Sequence, residues 1–205
     1  AISTESMTAL GIDSGRFGTL VTAFFLTSCL VQLITGPIVD KLGHKPVVII
    51  GFGAVSLSMF ILAFASGFSV ALIACIILGI GAMSVNTVGN TLIPIVLFGG
   101  KDPARASNFG NGFFGLGYIL IPLLIVFIIK TLGLSYHTAL IIIAVFCIAF
   151  MLLALMTSFP VASTGFKFSM AVKLLLNPAV IIAALAMSCY TSLESAVTTW
   201  IQRLI

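Results

Sequence analysis

Two amides four residues apart, Asn86 and Asn90, stand inside one long apolar run, and two more, Asn108 and Asn111, precede Tyr118 in the next. At helical pitch Asn86 and Asn90 share a face, as do Asn108, Asn111, Gly115 and Tyr118 with spacings of three, four and three. An amide in an apolar medium needs a partner, which is either another helix or a hydroxylated ligand. Neutral donors and acceptors of this kind suit an uncharged solute rich in hydroxyls. Tyr118 either offers a hydrogen bond and a stacking face or is a packing and interface residue. Gln32, the long polar side chain of an earlier run, either lines a cavity or bonds one helix to another. Glu194 is the one acid well inside a run, and Tyr190 lies one turn before it on the same face. Burying that carboxylate charged is expensive, so it either faces an aqueous cavity, binds a solute or coupling cation, or belongs to a structural pair. No nucleophile–base arrangement, metal-ligand spacing or phosphate loop accompanies these residues. The chemistry they offer is binding rather than bond breaking, so no cofactor and no enzymatic reaction are expected.

A second cluster, Gly36–Lys45 (GPIVDKLGHK), places an acid, two lysines, a histidine and two glycines between two apolar runs. It reads as a short aqueous turn between membrane helices, a loop at Asp40 to Lys45. Asp40 can interact with the positive end of a neighbouring helix, or with Lys41 and Lys45, and so latch one conformation. Otherwise it is a solvated loop charge. Gly36 would permit close helix contact, and Gly43 would take a positive φ. His44 and His137 are expected at helix ends, near the interface.

The elements that must position these residues are membrane helices. The chain is 60% hydrophobic and 7% charged, with a mean hydropathy of +1.31. A soluble domain of this size would need more charge to cover its surface. Six stretches reach the ~20 apolar residues of a span: 15–39, 46–65, 69–98, 107–129, 137–158 and 178–201. The expected fold is an all-α polytopic bundle, with residues 1–14 as a polar lead-in. Alternating sides puts Lys41, Lys45, Lys101, Arg105, Lys167 and Lys173 on one face, and only Arg16, Lys130 and Arg203 on the other. The richer face is predicted cytoplasmic. Residues 166–176 could lie in the interface as a short amphipathic helix. Small residues crowd the third and fourth spans (Gly79, Gly81, Ala82, Ser84 and Gly89, then Gly110, Gly112, Gly115 and Gly117), and close packing is the default role for each. Cys29, Cys75, Cys147 and Cys189 fall in separate runs and are expected to be free. The sparse lysines suit topology and anionic lipid rather than nucleic acid. The chain ends read as cut, so a larger protein is expected.

The pattern Gly-x-x-x-Asp-Lys-x-Gly-x-Lys resembles the loop between helices 2 and 3 of major facilitator superfamily transporters. The approach LGIDSGRFGTL before the first span is similar to that family as well. On this resemblance the chain spans helices 2 to 7 of such a protein. Residues 1–158 would be helices 2–6 of the N-terminal bundle, 159–177 a cytoplasmic linker, and 178–205 the truncated first helix of the C-terminal bundle. Within the superfamily, GIGAMSVNTVGNTL (79–92), ASNFGNGFFGLGYILIPLL (106–124) and YTSLESAVTTW (190–200) resemble the fucose/glucose/galactose branch of sugar symporters. Drug antiporters tend to carry Arg four residues before a Gly-x-Gly in helix 4, and Cys75 stands there instead. Their helix-5 Gly-Pro pair is replaced by Ile121-Pro122.

The resemblance implies a secondary transporter in the plasma membrane, in bacteria the inner membrane, that moves a small polar solute by alternating access. A sugar is the first expectation. Another solute, such as a drug or organic anion, or uncoupled facilitation, is the alternative. The implied solute-binding set is Gln32, Asn86, Asn90, Asn108, Asn111, Tyr118 and Tyr190. Glu194 is the implied coupling site for a proton or sodium ion, and Gly36, Asp40, Lys41, Gly43 and Lys45 form the gating loop. The branch usually carries an acid at the position of Asn86 and uses it in proton coupling; an asparagine cannot titrate.

Overall fold

A computed structural model describes residues 2–160 and 176–204 of the chain. In order, the elements are α1 (Ile2–Leu10), α2 (Ser14–Leu42), α3 (His44–Ala63), α4 (Phe68–Val96), α5 (Pro103–Val126), α6 (Tyr136–Met156) and α7 (Pro178–Leu204). No strand occurs among the described residues. Six of the helices are long and apolar enough to cross a membrane. Residues 2–160 belong to one compact unit, and α7 belongs to a second. The expected linker and interfacial helix fall mostly on residues 161–175, outside those described.

The spans begin where the sequence supplies caps. Asp13 accepts a hydrogen bond from the Arg16 amide at 2.8 Å to start α2, and Asp102 accepts one from the Arg105 amide at 2.9 Å to start α5. Pro103 at the head of α5 suits a first turn, where its missing N–H has no intrahelical acceptor.

Two expectations change. The lead-in is not merely polar: α1 is a nine-residue helix whose Met7 and Leu10, with Ile12 after it, pack against Leu20, Ala65 and Ala71. Its Ser6 hydroxyl donates to the Tyr136 hydroxyl at 3.0 Å. The expected loop at Asp40 to Lys45 shrinks to one residue. Helix α2 runs on to Leu42 and α3 starts at His44, with Gly43 at φ +85° between them. Glycine tolerates this left-handed backbone, which lets two helices meet at a single residue.

Helix α4 is the centre of the bundle, and glycines let its neighbours approach. A Cβ built on Gly81 would lie 2.7 Å from both the Gly51 carbonyl and the Val55 amide of α3. A Cβ on Gly79 would lie 2.9 Å from the Phe24 carbonyl of α2, and one on Gly110 2.8 Å from the Ile93 side chain. Helix α3 is tied to α6 by Ser56 donating to the Ala144 carbonyl at 3.0 Å, and to α4 by Ser58 donating to the Ala74 carbonyl at 2.7 Å. In lipid, such close packing and interhelical bonding replace the hydrophobic drive that assembles a soluble core. The packing role expected of small residues fits Gly51, Gly79, Gly81 and Gly110. At Gly89, Gly112, Gly115 and Gly117 an added Cβ would meet nothing within 4 Å.

Gly81→Leu is therefore expected to cost about 3 kcal/mol or more, because the obstacle is backbone on both sides. The apparent Tm of the purified protein in detergent should drop sharply. Gly115→Leu, in open space, should leave it nearly unchanged.

Outward faces are apolar. Leu26, Leu30, Leu33 and Ile34 of α2 and Phe146, Phe150 and Leu153 of α6 are all about half exposed or more, as befits surfaces that meet lipid tails.

Candidate solute cavity

A cavity of about 630 Å³ opens between α2, α4 and α5. Phe24, Phe25 and Ser28 come from α2, Asn86 and Asn90 from α4, and Asn111, Phe114 and Tyr118 from α5. Ala82, Met83, Val85, Gly89, Ile93, Ser107 and Gly110 complete the wall, which contains no ionisable acid, lysine, arginine or histidine. A neutral wall of amides and rings can hold an uncharged solute by hydrogen bonds at its edges and ring contact on its faces.

The Asn90 Nδ2 donates to Asn86 Oδ1 at 2.8 Å, one helical turn away. This bond uses one donor of Asn90 and one acceptor of Asn86. The remaining amide groups of the pair are left to face whatever occupies the cavity. Phe114 and Tyr118 meet edge to face at 5.1 Å, as do Phe24 and Phe25. Such contacts hold the rings in defined orientations.

Of the expected binding residues, Asn86, Asn90, Asn111 and Tyr118 line this cavity, whereas Gln32 and Asn108 are not among its lining residues. Gln32 bonds helices instead: its Oε1 accepts from the Thr87 hydroxyl of α4 at 3.2 Å. Asn108 is exposed on the first turns of α5. Three residues of helix rotate it about 60° from Asn111, which is enough to turn it off the cavity face. Tyr190 and Glu194 lie on α7, each exposed and one turn apart within that helix.

At the other cluster, Asp40 and Lys41 sit on the last turn of α2 and Lys45 on the first turn of α3. The Lys45 ammonium donates to the Leu155 carbonyl at 2.7 Å, satisfying an acceptor at the C-terminal end of α6. No heavy atom comes within 4 Å of a Cβ built on Gly36, so this glycine is not a point of close helix approach among the described residues. His44 heads α3, as expected, and is buried, at 2% exposure. His137 Nδ1 pairs with the Ala63 carbonyl. Cys29, Cys75, Cys147 and Cys189 are all unpaired thiols.

Sequence reasoning missed Ser28, Phe24, Phe25 and Phe114. A phenylalanine or a serine in an apolar run carries no pattern that separates cavity from packing. Only the angular positions of α2 and α5 against α4 do so.

The sequence profile of the Major Facilitator Superfamily matches residues 1–204. The chain belongs to this superfamily. Among curated proteins, the quinolone resistance protein NorA of Staphylococcus aureus strain MRSA252 is 31% identical over 115 residues, 55% of this chain and 29% of the relative. The NorA proteins of strains Mu50 and N315 match to the same extent. The matched region thus spans less than a third of these relatives. As a major facilitator protein, the chain is a multi-pass protein of the plasma membrane, with its long helices as the spans. The relatives are named for quinolone resistance, and none of them is named for sugar.

Proposed function

We propose that this protein is a secondary transporter that carries a small uncharged solute, a sugar first, through the cavity between α2, α4 and α5 by alternating access. The observation that carries this reading is the meeting of Asn86, Asn90 and Asn111 with Tyr118 and Phe114 around one uncharged cavity. Amides from two helices reach hydroxyls on different edges of a pyranose, and an aromatic ring accepts its apolar face. Two of the three segments that resemble sugar symporters, 79–92 and 106–124, contribute all five of these residues. In this reading α2 to α6 correspond to helices 2 to 6, residues 159–177 to the linker, and α7 to the first helix of the second bundle. Glu194 couples transport to a proton or sodium ion, and the Asp40 cluster gates the cytoplasmic end. Sites at the interface of two bundles are exposed alternately as those bundles rock.

A second reading has a specific observation behind it. The NorA relatives are named for quinolone resistance, and the cavity wall is largely apolar, with Phe24, Phe25, Met83, Ile93 and Phe114. An amphipathic aromatic compound would fit such a wall.

The two readings part in one experiment. Uptake of labelled D-glucose, D-galactose and L-fucose is measured in vesicles carrying the full-length protein, with a labelled quinolone in parallel. Asn111→Leu is expected to raise KM for the transported sugar about tenfold, since a truncated hydrogen bond leaves a solute hydroxyl unpaired. Transport of the quinolone alone, unchanged or improved by Asn111→Leu, would replace the sugar reading with the second.

A further inference from the structure

The geometry points to Ser28 as a direct hydrogen-bonding contact for the solute, the contribution of α2 to the binding set. This rests on the cavity reading above and adds to it a third wall that hydrogen-bonds.

Ser28 lines the cavity from α2, yet its residue is only 5% exposed, and its Oγ has no hydrogen-bond partner among the described residues. That is unusual for a hydroxyl in a membrane helix, which ordinarily returns to the carbonyl four residues back. Neighbours in this chain do so: Thr19, Thr22 and Thr35 on α2, and Ser84 and Thr91 on α4, bond those carbonyls at 2.7–3.0 Å. For Ser28 that acceptor would be the Phe24 carbonyl, and the bond is not made. An orphaned polar atom away from water carries a desolvation cost unless something else completes it.

The surroundings show why a bound solute is the candidate. Helix α4 crosses α2 here at Gly79, where an added Cβ would stand 3.2 Å from Ser28 Oγ and 2.9 Å from the Phe24 carbonyl. Any larger residue at 79 would press on the hydroxyl; glycine leaves it room, although the oxygen itself stays buried. Helix α4 thus closes on Ser28 without supplying a partner, while the residue borders the space shared with Asn86, Phe24 and Phe25, one side-chain rotation from its hydroxyl. A solute held by Asn86 and Asn111 would present a further hydroxyl or ring oxygen toward α2. Ser28, both donor and acceptor, can bond either. Selectivity follows, because a site built to bond a hydroxyl discriminates strongly against the analogue that lacks it.

The test uses the full-length protein reconstituted in lipid vesicles. The probe is whichever of D-glucose, D-galactose and L-fucose wild type takes up fastest, together with its monodeoxy analogues. Ser28→Ala is expected to raise KM for the parent sugar about tenfold while leaving the maximal rate within about twofold. For one deoxy analogue, the one lacking the hydroxyl that Ser28 bonds, the substitution should make no further difference, as in a double-mutant cycle. A purely packing serine would instead change thermal stability and all analogues alike. In a background with every native cysteine of the full-length protein replaced by alanine, Cys29, Cys75, Cys147 and Cys189 among them, Ser28→Cys should react with N-ethylmaleimide and be protected by the parent sugar. An unchanged KM in Ser28→Ala, an equal rise for every analogue, or no maleimide reaction overturns the assignment. If Asn111→Leu raises KM while Ser28→Ala does not, Ser28 is rejected and the cavity stands. If wild type takes up none of the three sugars, the sugar reading fails and takes Ser28 with it.

Discussion

Replacing Asp40 by asparagine in the full-length protein is expected to slow transport about tenfold or more, about 1.4 kcal/mol in the barrier, with solute affinity nearly unchanged. Asp40 lies on the last turn of α2, twelve residues beyond the cavity residue Ser28. That is about 18 Å of helix from Ser28, and Asp40 is not among the residues that line the cavity. It stands beside the one-residue junction at Gly43, where the first turn of α3 presents its positive end. From that same turn Lys45 reaches the Leu155 carbonyl, so the ends of α3 and α6 are tied close to the acid. In the proposed gating role, a charge in this place biases which arrangement of helix ends is stable, and a change of bias alters the interconversion rate rather than the site. Asparagine keeps the size and the hydrogen-bonding capacity and removes only the charge. Initial uptake rates and equilibrium binding on the same preparation separate the two effects. Affinity that falls in step with rate would remove the gating role.

Glu194→Gln is expected to have the larger effect on accumulation, lowering concentrative uptake about tenfold or more while exchange of solute across the membrane partly survives. The chain has five acids. Asp13 and Asp102 cap α2 and α5, Asp40 ends α2, and Glu5 lies on the short α1. Glu194 alone lies well inside a membrane-length helix, where an ionisable group is costly and for that reason tends to mark a transport or proton path. The resemblance to sugar symporters leads one to expect an acid at position 86 as well, and Asn86 cannot bind a proton. In the proposed mechanism the coupling burden therefore falls on Glu194 among the acids of this chain. Glutamine keeps the volume and the polarity and removes the ionisable oxygen. Exchange does not require release of the coupling ion, so it should outlast net uptake. The measurement is uptake into vesicles under an imposed pH or sodium gradient, beside solute exchange without one. A full response to either gradient in Glu194→Gln would place the coupling site elsewhere.

The spans were legible because an apolar run of membrane length has few other readings, and their observed bounds fall within a few residues of those expected. The short α1 was not legible. Its nine residues include Ser3, Thr4, Glu5, Ser6 and Thr8, and only packing of Met7 and Leu10 against α2 and α4 makes it a helix of the bundle. The loop at Asp40 to Lys45 was read from its charges, but a positive φ at Gly43 let both helices run almost to contact. The shared face of Asn86 and Asn90 follows from helical pitch. That Gln32 turns to Thr87, while Ser28 turns to the cavity, depends on how α2 is rotated against α4, which periodicity does not carry.

The central claim, that the cavity between α2, α4 and α5 carries a sugar on its amides, meets its most direct test in entrance counterflow. Vesicles containing the full-length protein are loaded with an unlabelled hexose and diluted into a trace of the same labelled sugar. The account predicts a transient accumulation of label above equilibrium, lost in the Asn86→Leu/Asn111→Leu double variant and retained in Asn108→Leu, whose side chain lies off the cavity. No overshoot with D-glucose, D-galactose or L-fucose, or an overshoot that survives removal of both amides, would contradict it.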